Sequence, residues 1–405
     1  MTSTPHTDAP ENLPDPKRRK FMRVLGAGGI IVGATALGAG SWLTTRDPAA
    51  AREPWQQAGH DLPEFGNDVR VRALSYAVLA PNPHNRQPWS VDLSEAGILT
   101  LYCDLDRRLP HTDPFDRQIT IGLGCFLELF AIAAAEEGYS ANITLFPQGD
   151  PSARLDERPV ARIELADGMA TQDPLFAQIL TRHTNKEPFD LARPVPAGDV
   201  EAILAASGSV TRLQAGSALE ETEVEQLRDL TWRGHEIESH TPRTMQESVD
   251  LMRIGKAEVL ANPDGIDLAG PFFETLNATG LMSREQIADP TTTAFQQGMD
   301  IYREIIFSAT GYVWLISNGN TRVDQIAAGR AYVRMHLEAT ARGIDMHPLS
   351  QVLQEYEEMT SLYDEAKVTL GARPTQTVQM LARIGYGPTI NASPRWPAQT
   401  RIRQA

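Results

Sequence analysis

Cysteine is nearly absent from this 405-residue chain, which has only Cys103 and Cys125. Two thiols among apolar neighbours make neither a disulfide framework nor a zinc cluster, and both read as small buried side chains. Histidine spacing suited to a metal is missing as well. His235 and His240 stand five apart, wrong for one helical face, and His336 and His347 are further out of register. No G-x-S-x-G occurs, so a serine hydrolase of the nucleophile-elbow type has no starting point. Basic charge is scarce: the formal charge is −15, and beyond residue 51 stand 31 of the 37 basic residues against 48 of the 52 acidic ones. A body this acidic repels phosphate backbones, which argues against a nucleic-acid partner. Apolar and charged fractions of 41% and 22% are ordinary for a folded chain, and the length suits two domains or one fold built from two halves.

Charge is also missing from Val24 to Thr45, directly after the basic cluster Lys17–Arg23. Within that run "VLGAGGIIVG" imitates a dinucleotide-binding fingerprint, but Gly26 and Gly28 would need glycine at Ile31, and no ribose-binding acid follows at the required distance. Arg18-Arg19 with Lys20, Phe21 and Met22, then a Gly/Ala-rich apolar stretch and "DPAAA" ending at Ala51, resembles a twin-arginine export signal. The expected location is therefore periplasmic or otherwise outside the cytoplasm. Left uncleaved, the 22 uncharged residues would anchor the chain in a membrane.

The spacing of apolar residues predicts a helix over 68–80, a hairpin from "WSVDLS" and "ILTLYCD", and a helix over 118–139 too apolar to lie on a surface. Strands are expected at "NITLFP" and over 160–166, and a helix over 174–190 that ends in a polar turn. Gly124 and Gly138 stand fourteen positions apart, as do Gly329 and Gly343, and each pair reads as the start and the C-cap of a helix. This echo suggests a duplicated unit. The division expected is 1–51 as signal region, 52–166 as a first half, and 167–405 as a second half. A helical insert at about 215–300 has no counterpart in the first half and reads as a cover over a site.

Three stretches need one explanation: "PNPHNRQPW" (81–89), "RHTNKEPF" (182–189), and the set "DMHPLSQ", "LARIGYG" and "SPRWP" over 345–397. Together they resemble the FMN-dependent nitroreductase family, most nearly its single-chain exported or dormancy-associated branch. The resemblance implies an α+β nitroreductase-like fold in which two fused halves form a pseudo-dimer, with helices around central sheets. It further implies one FMN site, with the first loop as one wall and the arginine motif as the other. Where the family has two serines the chain has Asn82 and Pro83, followed by His84. Gln351 stands where glycine is common, and Glu187-Pro188 lengthens the step to Phe189.

FMN carries a dianionic phosphate, a hydroxylated chain and a ring that gains negative charge on reduction. Forked guanidinium donors suit the phosphate, and Arg182, Arg395 and Arg383 are the candidates, Arg383 being otherwise a strand-edge charge. By the family pattern Lys186 supports the reduced ring and Thr184 accompanies it. Asn85 and Gln87 offer donors and acceptors to the hydroxyls and the ring edge, and Pro348, Leu349 and Ser350 run past the ring. Trp89 reads as core packing behind the loop. The expected activity is ping-pong hydride or electron transfer through the flavin to a small-molecule acceptor. For an exported protein the expected donor is a membrane quinol or redox partner in place of NADPH. The alternatives are a flavin-storing protein of the same fold and a flavin-free relic.

Overall fold

The computed structural model describes residues 45–403, apart from 152, 169, 211 and 212. The signal-like run before residue 45 lies outside the described residues. A short helix α1 (Glu53–Gln57), opened by Pro54, buries Trp55, and α2 (Val69–Ala77) begins where Asp68 accepts a hydrogen bond from the Arg70 amide. Strands β1 (Trp89–Asp92) and β2 (Ile98–Cys103) pair antiparallel, with Trp89 opposite Cys103. Helix α3 (Arg117–Glu136) has sixteen of its twenty residues buried. It is long and apolar enough to cross a membrane, but 83% of its apolar window is packed inside the protein. Strands β3 (Tyr139–Leu145) and β4 (Ala161–Asp167) complete an antiparallel sheet of order β1-β2-β4-β3.

The helix expected over 174–190 is absent: a single 3-10 turn, Pro174–Gln178, precedes an irregular loop. Asn185 accepts a hydrogen bond from the Glu187 amide and Pro188 follows, so side-chain turns and a missing donor replace the helical ladder. Beyond α4 (Ala197–Ala206), β5 (Leu213–Ala218) already belongs to the second sheet, although the insert was expected from about 215. The helical region follows it: α5 (Glu221–His240), α6 (Pro242–Asp250), β6 (Met252–Ile254), α7 (Gly255–Ala261), β7 (Ile266–Leu268), α8 (Pro271–Ala278), α9 (Arg284–Ala288) and α10 (Thr293–Phe307). Then come β8 (Gly311–Ser317), α11 (Arg322–Ala341), β9 (Asp345–Pro348), α12 (Thr360–Thr369) and β10 (Thr377–Gly385). The second sheet is antiparallel in the order β5-β8-β10-β9, and β6 and β7 pair parallel on their own.

Each half thus places a twenty-residue helix beside a four-stranded sheet, and the two helices, α3 and α11, cross in a shared apolar core. The echoed glycines explain the crossing in a way their spacing did not. Gly138 (φ 87°) and Gly343 (φ 66°) do end their helices in the left-handed region. Gly124 and Gly329, expected at helix starts, lie inside α3 and α11. A Cβ at Gly329 would fall on the carbonyl oxygen of Ile121, and one at Gly124 on that of Ile326. Both are glycine because two backbones meet there.

Candidate functional site

The loop Pro81–Trp89 holds three residues at positive φ within four positions: His84 (47°), Asn85 (50°) and Gln87 (50°). Such backbone is costly outside glycine and persists only where neighbours over-determine it. Here Asn82 Oδ1 accepts from the Gln87 amide at 2.7 Å, and Asn82 Nδ2 donates to Ala80 O at 3.0 Å. The helical region fastens the loop from the other side. Gln87 Nε2 donates to Pro263 O at 2.8 Å, the Gly265 amide donates to Asn85 O, and Arg107 of the first half pairs with Asp264 at 2.7 Å.

One wall of a cleft of about 200 Å3 consists of Asn82, Pro83, His84 and Asn85 with Gly122 and Cys125 of α3. Thr184, Lys186, Pro348 and Ser350 also line the cleft, as does Arg395, which is bonded to Asn85 of that loop. Among the described residues Lys186 has no hydrogen-bond or ion-pair partner. It keeps solvent contact within the cleft, yet protein crowds it enough that desolvation lowers its pKa, with Asp267 opposing. Arg182 lies behind the lining, close enough to act electrostatically on the lining residues Cys125 and Tyr332.

Arg182 and Arg395 carry the unusual electrostatics of the site. Both are buried, both approach the Trp55 ring, and both donate to Leu79 O, at 2.9 and 3.2 Å. Among the described residues neither has a carboxylate partner. Arg182 Nε and Nη1 have no hydrogen-bond partner at all. Burial pulls the Arg182 pKa down to about 10, and burial together with Arg182 pulls Arg395 down to about 9. Two buried cations side by side, one of them with idle donors, are expensive unless an anion joins them.

Several sequence expectations change. Gln87 does not line the cleft: its amide is spent on Pro263 O and on accepting from the Trp396 amide at 2.9 Å. Arg383 is neither a phosphate ligand nor a strand-edge charge. It is buried in the middle of its sheet, stacks on Phe189 at 3.8 Å, and donates to His347 Nδ1, Ser308 Oγ and Glu187 O. Its role is to tie the 182–189 loop to β9 and β10, and it leaves His347 Nε2 to hold the ring proton of that neutral histidine. Leu349 is buried and its amide bonds Leu381 O, so it too is off the cleft. Asn85 lines the cleft, but its amide accepts from Arg395 at 2.6 Å and donates to Pro394 O, which makes it an orienter of the arginine. Trp89 is buried against Phe126, as expected of a core residue.

A cover from the helical region was expected, but its residues were not named. Glu238 of α5, Ile266 of β7 and Tyr302 of α10 line the cleft, joined by Gln354 and Tyr332. No motif marks these positions; only the place of Glu238 and Tyr302 in long helical patterns could have drawn attention to them. Glu238 is buried, and desolvation pushes its pKa up to about 7 against the pull of Ser248 and Gln354.

Desolvation also holds His84, His183 and His235 down to about 4. The unfolded chain therefore binds protons between pH 6.5 and 4 that the folded one refuses, and stability present above pH 6.5 is lost as pH falls through that interval. Glu238 acts oppositely, its contribution being lost as pH rises through about 7. Urea midpoints measured across pH should peak between these limits. A midpoint unchanged from pH 6.5 to 4 would show that the histidines are not held neutral by the fold.

No protein-family model matches the chain. Over 346 residues, 81% of this chain and 88% of the relative, it is 28% identical to a Mycobacterium tuberculosis H37Rv protein named "Putative NAD(P)H nitroreductase Rv3131". Over 126 residues, 30% of this chain and 36% of the relative, it is 36% identical to "Putative NAD(P)H nitroreductase acg" of the same organism. Among solved structures, a nitroreductase-like family protein from Bacillus cereus covers 58% of this chain and 98% of its own, at 13% identity and a TM-score of 0.34. An FMN-bound nitroreductase from Bacteroides fragilis covers 55% and 96%, at 15% identity and a TM-score of 0.31. The long sequence match makes the chain similar to nitroreductases along most of its length.

Proposed function

We propose that the protein is an FMN-dependent oxidoreductase of the nitroreductase type, with one flavin site per chain between its two halves. The observation that carries this is the buried pair Arg182 and Arg395, neither with a carboxylate partner among the described residues and Arg182 with two idle donor nitrogens, beside a cleft that also presents the unpartnered Lys186. The set fits the cofactor: a phosphate would take the idle guanidinium donors bidentately. Arg395 donates from every nitrogen to the protein, including Asn85 Oδ1, so it adds positive charge to the site while the idle donors are those of Arg182. Lys186 favours negative charge that develops nearby, and the strained loop is organised in advance of binding. When bound, FMN supplies two-electron transfer between a donor and a small-molecule acceptor in alternate half-reactions. Protein isolated with flavin absorbance, or apoprotein that gains thermal stability with FMN, supports the reading; neither effect at saturating FMN rejects it.

Replacing Lys186 by alanine should lower the reduction potential of the bound flavin by roughly 20–40 mV, the two-electron equivalent of about 1–2 kcal/mol for one nearby cation. Dye-equilibrated redox titration measures it. An unchanged potential would place Lys186 away from the ring.

Export by the twin-arginine route, to the periplasm or an equivalent compartment, is part of the proposal and rests on Arg18-Arg19 and the uncharged run that follows. With NAD(P)H scarce there, the donor is a membrane quinol or a redox protein. The mycobacterial relatives carry NAD(P)H in their names, so the two views separate cleanly. Slow reduction by NADPH with fast reduction by a quinol supports export; brisk turnover with NADPH in a cytoplasmic fraction contradicts it.

A second reading is flavin storage. The helical region reaches over the loop through the Pro263, Asp264 and Gly265 contacts and roofs the cleft with Ile266 and Tyr302. A storing protein would bind FMN yet resist reoxidation by nitroaromatics after chemical reduction, whereas the enzyme would not.

A further inference from the structure

We propose that Glu238, on the roof of the cleft, is the acid that delivers the proton accompanying two-electron reduction of the acceptor. This rests on the flavin-enzyme reading above and names a residue that the resemblance does not supply.

The geometry is specific. Glu238 sits in the last turns of α5 and lines the cleft although its side chain is buried. Its Oε1 accepts a long hydrogen bond, 3.4 Å, from Ser248 Oγ of α6. Its Oε2 is buried with no hydrogen-bond partner among the described residues, as is Oε1 of Gln354, whose side chain lies close enough to favour the carboxylate form. A carboxylate there would be a desolvated anion with one idle oxygen, whereas a carboxylic acid has a proton to place.

The surrounding groups favour the acid. His235 on the same helix is held neutral and stacks on Tyr302 of α10, with ring centroids 4.2 Å apart. On α6, Glu247 adds like charge, while Tyr356 is a phenol whose hydroxyl has no partner. No arginine, lysine or histidine forms a salt bridge with Glu238 among the described residues. The contrast is Lys186, which lines the same cleft. One cleft therefore holds a cation on the side assigned to the cofactor and a neutral acid on its roof. A pKa near neutrality, where an acid can both hold and release its proton, accords with that placement.

The step balances without another reactant. A quinone-type acceptor would take a hydride equivalent from bound reduced flavin, which would be oxidised by two electrons, and with one proton would become the hydroquinone. The acceptor oxygen that gains electron density takes the Glu238 proton. The resulting carboxylate is reprotonated from water in the cleft.

The test compares full-length wild type, Glu238→Gln and Glu238→Asp, each loaded with FMN, reduced, and mixed in a stopped-flow instrument with benzoquinone or ferricyanide. Ferricyanide takes single electrons and no proton, so the ratio of the two rates isolates proton delivery. That ratio should fall about a hundredfold in Glu238→Gln, within the usual range for a lost general acid, and recover in part in Glu238→Asp. In wild type the benzoquinone rate should decline above about pH 7, and this limb should vanish in Glu238→Gln. Independently of turnover, wild-type infrared difference spectra should show one protonated-carboxyl band that titrates near neutrality and is missing from Glu238→Gln. An unchanged rate ratio, or a carboxyl already ionised at pH 5, overturns the proposal while leaving FMN binding intact. Failure of the wild type to bind FMN would sink the flavin reading and this step with it. If Glu238→Gln does not fold, the wild-type pH profile and carboxyl band still decide.

Discussion

Arg182→Met should weaken FMN binding about a hundredfold while leaving the flavin-free protein at least as stable as wild type. The two effects have one cause. Arg182 is buried with two idle donor atoms and a second guanidinium for company. Removing an uncompensated buried cation in favour of an apolar side chain of similar length is neutral or favourable for the free fold. Its one protein acceptor, Leu79 O, keeps the bond from Arg395 Nη2, so nothing is orphaned. With flavin present, one or two charge-assisted hydrogen bonds disappear, each worth about 1.5–3 kcal/mol, and about 2.8 kcal/mol corresponds to a hundredfold in Kd. Fluorescence titration with FMN and urea unfolding of the free protein read the two quantities. A strong loss of stability with unchanged affinity would make Arg182 an ordinary structural residue.

Gly329→Ala should cost about 3 kcal/mol of stability or more, whereas Gly298→Ala should gain roughly 0.5–1 kcal/mol. Both glycines are inside helices, α11 and α10, so helix propensity alone favours alanine at each. Around Gly298 an added Cβ meets nothing within 4 Å. At Gly329 it meets the backbone of Ile121, Gly124 and Cys125, and backbone of a packed helix cannot swing aside. The only relief is to separate α3 from α11. Gly122 and Cys125 of α3 and Tyr332 of α11 line the cleft, so FMN affinity should fall together with stability. Thermal unfolding of the two variants decides. Equal behaviour of Gly329→Ala and Gly298→Ala would mean that the halves do not meet through these helices.

How far the sequence could be read varies with the kind of information a residue carries. The hairpin, the buried helix over 117–136 and the walls of the cleft follow from apolar spacing and from motifs whose loops are forced by proline. Arg383 and Gln87 were misjudged because a sequence shows that a side chain can donate, but not that the protein already uses every donor. The Gly124 and Gly329 pattern was visible, yet its meaning depends on which backbone approaches, and only the fold shows that. Residues 174–190 have helical spacing, but Asn185 and Pro188 offer competing turns, and these win. Glu238 and Tyr302 were hidden for a different reason: they come from the helical region, where periodicity reports a buried face and says nothing of the cleft beneath it.

The central claim is one flavin site made once per chain by two joined halves. Titration of flavin-free, full-length protein with FMN, followed by absorbance and by calorimetry, tests it most directly. One equivalent bound per chain in wild type, with affinity reduced about a hundredfold in Arg182→Met, is the predicted result. No saturable binding, or binding that does not notice the loss of Arg182, would contradict it.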